Sequence, residues 1–121
     1  MSNIHPTLLR TIDSEIEQCT KELTKFRDKL LEKPSYTFGW ADNCVEYAAR
    51  LDVYRMVRHE LTERSTDPFP IDDVISMLTR AAMQEARHPT RSTSQMSNLV
   101  AVYITAARIH AIDLLKGFVD D

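Results

Sequence analysis

Several small groups of residues in this 121-residue chain could do chemistry, and each makes a demand on the fold. Lys21, Lys25, Lys29 and Lys33 follow one another at i, i+4 and form a slowly turning basic ridge, and Arg55, Arg58 and His59 form a second basic face. Such ridges can dock a nucleic-acid backbone, a nucleotide or another anion. The nearby acids Asp28, Glu32 and Asp52 suit local ion pairing along a solvated helix face just as well, and that is the favoured expectation. Glu85-Ala-Arg-His88 carries the Glu-x-x-His pattern with which helical bundles hold a pair of metal ions. That chemistry takes two such motifs and two further glutamates on facing helices, whereas the chain has one copy, beside Pro89. No metal or cofactor is expected. His110 and Asp113 stand three apart in the most apolar segment, where a core histidine satisfied by the aspartate is expected, because buried polar groups need partners.

Two stretches resemble parts of enzyme families. Leu9-Arg10-Thr11-Ile12-Asp13, with Arg27 further along, resembles the opening helix of the all-helical chorismate mutases. In that family a long first helix carries two arginines that bind the substrate carboxylates, so the resemblance implies a small all-helical enzyme with Arg10 and Arg27 in that role. It covers about 20 residues, and the family's later lysine and Arg-Glu pair have no counterpart after Pro34. Glu60-Leu-Thr-Glu63 is similar to half of the acidic metal-binding pair of the all-helical nucleotide pyrophosphatases, with no matching Glu-x-x-Asp downstream. Neither activity is carried over to the chain.

The connector Pro34-Ser-Tyr36-Thr-Phe38-Gly-Trp40 places Tyr36, Phe38 and Trp40, three of nine aromatic residues, within five positions. Exposed, they would make an aromatic contact point for another protein. Turned inward, they would close one end of the helices.

The elements that must position these groups are helices. Leu9, Ile12, Ile16, Cys19, Leu23, Phe26 and Leu30 are spaced 3, 4, 3, 4, 3, 4, a heptad seam suited to packing on another helix of the same chain or of a second copy. Punctuation by Pro6, Pro34, Gly39, Pro68, Pro70, Pro89 and Gly117 predicts four helices over about 7–33, 41–64, 71–87 and 94–116. Asn43-Cys-Val-Glu46 is a candidate capping box for the second. Its inward face is expected to carry Trp40, Cys44, Tyr47, Leu51, Tyr54 and Leu61, and that of the third Val74, Ile75, Leu78, Ala81 and Ala82. The fourth is apolar nearly all round, so it belongs at the centre of the molecule or in a subunit interface. Gly117-Phe118 reads as a helix stop with a hydrophobic contact folding back.

Composition narrows the class. A net charge of −3 with 27% charged residues argues against a general nucleic-acid-binding field. Two cysteines, Cys19 and Cys44, make no disulfide scaffold and suit a reducing compartment, and in an antiparallel helical hairpin they are too far apart to bond. The amino terminus lacks the basic start and apolar core of a signal peptide, and Leu99–Leu115 is interrupted by Arg108, His110 and Asp113, so no membrane span is expected and the cytoplasm is the expected location. The expectation is a single all-α domain, a four-helix bundle in which a hairpin of helices one and two packs with helices three and four. Its expected role is a regulatory protein–protein interaction module of adaptor or inhibitor type that binds itself, as a homo-oligomer, and another protein. Anion binding through Lys21, Lys25, Lys29, Arg55 and Arg58 is the first alternative, and the chorismate-mutase-like enzyme the second.

Overall fold

A computed structural model describes residues 6–32, 37–63, 71–89 and 95–119. The chain is an all-α four-helix bundle of α1 (Pro6–Glu32), α2 (Thr37–Glu63), α3 (Ile71–Arg87) and α4 (Gln95–Lys116). Pro6 opens α1 at the position where a missing N–H is harmless. Asp72 and Asp73 open α3, where carboxylates favour the positive end of the helix dipole. Hydroxyls within the helices turn back on the backbone: Thr11, Thr20 and Thr62 donate to the carbonyls of Thr7, Ile16 and Arg58 at 2.7–2.8 Å.

The start of α2 differs from the expectation, and with it what its first residues do. α2 begins at Thr37, not near 41, so the Asn43–Glu46 box lies inside the helix and caps nothing, and Gly39 is a helical residue. A glycine inside a helix costs about 1 kcal/mol, which a 27-residue helix packed on two neighbours offsets. Phe38 and Trp40 therefore stand in the opening turns of α2 and not in a loop. Tyr36 lies outside the described residues, as do the side chains of Phe38 and Trp40, and that of Leu30.

α1 packs along α2, α2 also along α4, and α4 along α3, with a smaller contact between α2 and α3. The register of the α1–α2 hairpin is marked by Phe26 against Tyr47, with ring centroids 6.0 Å apart, and by Arg58 Nε donating to Asp13 Oδ1 at 2.5 Å. In that register Cys44 lies level with about residue 28, roughly 14 Å along the axis from Cys19. Both thiols are free.

The common core joins Leu8 and Ile12 of α1, Val53, Tyr54, Val57 and Leu61 of α2, Ile71, Val74 and Leu78 of α3, and Ala107, Ala111 and Leu115 of α4. On α1 the heptad pattern splits in two. Ile12, Cys19 and Phe26 are buried, together with Leu8, which lies outside the expected seam, whereas Leu9, Ile16 and Leu23 form a half-buried row on the flank. The inward face of α2 is Ala49, Val53, Tyr54, Val57 and Leu61, with Cys44, Tyr47 and Leu51 only half-buried and Ala48 exposed. Beyond Lys116 the chain tightens into i, i+3 hydrogen bonds, from Gly117 N to Leu114 O and Phe118 N to Leu115 O, and Phe118 packs back on the core.

Candidate functional site

The basic ridges come first, because their charge balance decides what they can attract. Lys21 reaches Glu17 at 3.2 Å and Lys25 reaches Glu22 at 3.1 Å. Arg27 pairs with the neighbouring Asp28 at 3.2 Å. With Lys29 also engaged, the ridge from Lys21 to Lys29 is a mixed-charge face and not a positive stripe, and Lys33 lies outside the described residues. On α2, Arg58 reaches across to Asp13, and among the ion pairs of the described residues none joins Asp52 to Arg55. Arg10 Nε donates to its own helix at Pro6 O, about 25 Å along α1 from Arg27, so these two arginines do not share a site within the chain.

His110 is not the core histidine expected from its neighbour Asp113. Both are exposed on α4. His110 reaches inward with Nδ1, which is hydrogen-bonded to the hydroxyl of Tyr54 on α2, and the two rings meet edge to face at 6.0 Å. Tyr54 itself is fully buried. Burial, reinforced by the carboxylate of Glu15, pushes its phenol well above the ordinary range. The Cys19 thiol, two per cent exposed, is pushed up by desolvation despite the nearby Arg50, and Cys44 is also pushed up by desolvation. In both cysteines burial opposes the lowered pKa that makes a reactive thiolate. Arg50 pairs with Glu46 at 2.8 Å and lies 5.6 Å over the Tyr47 ring. Glu85 is half-buried on α3 and His88 exposed beyond it, and among the described residues no three His, Cys, Asp or Glu side chains converge to hold a metal.

What remains is apolar surface. α4 buries Ala107, Ala111, Ile112 and Leu115 and leaves its opposite face to solvent, where Val102 is 64% and Ile109 49% exposed. Val102, Ala106, Ile109 and Asp113 follow at 4, 3 and 4 and so stand in one row. Beside Val102 an apolar groove of 350 Å³ runs between α3 and α4, lined by Glu85, Ala86, Pro89, Asn98, Ala101, Val102 and Thr105. One turn before Ala86, Met83 is 47% exposed. The segment Asn98–Lys116 is long and apolar enough to cross a membrane by length and composition. The sequence signal for this face was the breadth of the apolar circumference of α4, but its periodicity alone did not say which side would be buried.

Compared with known proteins, the chain matches no protein family, no curated protein and no solved structure.

Proposed function

We propose that the chain is a helical protein–protein interaction module that works as a homo-oligomer, in a regulatory capacity. The observation that carries this reading is the solvent-facing row Val102, Ala106 and Ile109 on α4, bordered by the apolar groove against α3. Exposed apolar residues that run together along one helix face and into an apolar groove are the kind of surface a protein partner covers. The half-buried row Leu9, Ile16 and Leu23 on α1 offers a second, smaller surface, because the buried row beside it is already occupied by packing within the chain. Contact with a different protein is assigned to Tyr36, Phe38 and Trp40 on the strength of their residue types and their closeness in the chain.

Anion binding is the weaker reading, since the α1 lysines are matched by Glu17 and Glu22. Sedimentation equilibrium from micromolar to near-millimolar concentration tests the oligomer. A mass above that of one chain supports it, and a single-chain mass throughout overturns it. A titration with nucleic acid at low and high salt tests the alternative, because phosphate contacts weaken steeply with salt.

A further inference from the structure

We infer that the partner on α4 is a second copy of this chain, and that two α4 helices pair antiparallel about a two-fold axis crossing near Ala106. This rests on the self-association proposed above and adds its surface and geometry. The charge pattern is the first support. In a chain that is 27% charged, the exposed row Val102, Ala106 and Ile109 carries no charge before Asp113, so it can meet an identical row without like-charge repulsion.

The arrangement within the row is the second support. A two-fold interface requires that if one residue meets a second across it, the second meets the first. With the axis near Ala106, Val102 meets the partner's Ile109 and Ile109 meets the partner's Val102, while the small Ala106 lets the helices approach at the crossing. All three side chains face solvent in the single chain.

The ends of the row settle the direction. A parallel pair would set Asp113 against the partner's Asp113. The antiparallel pair instead carries each Asp113 carboxylate to the level of the partner's Asn98, at the amino-terminal end of α4, where the helix dipole and an amide favour an anion. Asp113 is exposed and lies on the same face as Val102 and Ile109, so the carboxylate is available for this contact.

Cysteine crosslinking tests the pairing in a Cys44→Ser background, with circular dichroism melts confirming that each exposed-site variant folds. A disulfide needs α-carbons within about 7 Å. Ala106→Cys should therefore form a covalent dimer on mild oxidation. Val102→Cys alone should not, because two copies of that position are offset by roughly 10 Å along the antiparallel axes. An equimolar mixture of Val102→Cys and Ile109→Cys chains should crosslink. Val102→Asp should raise the dimer dissociation constant at least ~10-fold with little change in the melt, since position 102 is exposed in the single chain. Efficient crosslinking of Val102→Cys to itself would mean a parallel pair and overturn the inference. So would an oligomer that ignores Val102→Asp or fails to crosslink through position 106, and in that case self-association itself would stand, through another surface. A chain that stays monomeric at every concentration, whether or not it floats with phosphatidylglycerol vesicles, would overturn the inference and the self-association together.

Discussion

Replacing Tyr54 by Phe should reduce stability at neutral pH and raise it, relative to the native chain, at strongly alkaline pH. At neutral pH the change removes one hydrogen bond, that between the Tyr54 hydroxyl and His110 Nδ1, and leaves the ring in place in a core where it is fully buried. Because His110 is exposed, its freed nitrogen can turn to water, so the loss is that of a single satisfied bond, about 0.5–1.5 kcal/mol. The alkaline limb has the opposite sign. Desolvation, with Glu15 adding to it, raises the phenol of Tyr54 in the folded chain above its unfolded value of about 10. The folded state thus keeps a proton that the unfolded state releases. Stability is fully present below pH 10 and falls above it by up to about 1.4 kcal/mol per pH unit. Between about pH 10 and 11 this loss matches the hydrogen bond, and the two proteins should become equally stable, with Tyr54→Phe ahead beyond that point. Urea unfolding followed by far-UV circular dichroism from pH 8 to 11.5 measures both limbs. If the two stabilities run parallel across the whole range, Tyr54 is not the buried, protonated group described here.

Three further outcomes follow from the packing. Leu8→Ala should cost about 2–5 kcal/mol and Leu23→Ala distinctly less, because Leu8 is fully buried and Leu23 lies half-buried on the flank of α1; thermal melts compare them. A double-mutant cycle on Asp13 and Arg58 should give a coupling of no more than about 1 kcal/mol that fades in 0.5 M salt, since both side chains are about half exposed, and a larger, salt-insensitive coupling would contradict the geometry. In the native chain Cys44 should react with a thiol reagent well before Cys19, and mass spectrometry of the non-reduced protein should find no bond between them, given the axial offset in the hairpin.

The order and type of the helices were legible in the residues because their signals are local. Pro6, Pro34 and Gly117 mark ends, and the 3–4 spacing from Leu9 to Phe26 marks a helix whatever packs on it. What failed depended on contacts distant in sequence. The seam on α1 was wide enough to include Leu9, Ile16 and Leu23, but only the presence of α2 decides that Leu8, Ile12, Cys19 and Phe26 are the row that goes inside. On α2 the periodicity was blurred because the helix is packed by α1 on one side and by α4 on the other, which spreads its buried residues from Ala49 to Leu61 over a broad face. His110 was matched to Asp113 by proximity, while its partner is Tyr54, 56 positions away. Gly39 reads as a helix breaker in sequence and so sets the start of α2 too late, although one glycine is a small cost in a long packed helix. The α4 row was visible in sequence as excess apolar circumference, but its exposure became plain only once α2 and α3 had covered the other sides.

The central claim is that the chain assembles through the exposed row of α4, and sedimentation equilibrium of the native chain beside the exposed-site variants Val102→Asp and Ile109→Asp measures it most directly. The account gives a native mass twice the 13.9 kDa of one chain, and single-chain masses for both variants at the same concentrations, with unchanged helix content by circular dichroism. A native chain that sediments at 13.9 kDa up to near-millimolar concentration, or variants as fully dimeric as the native chain, would contradict it.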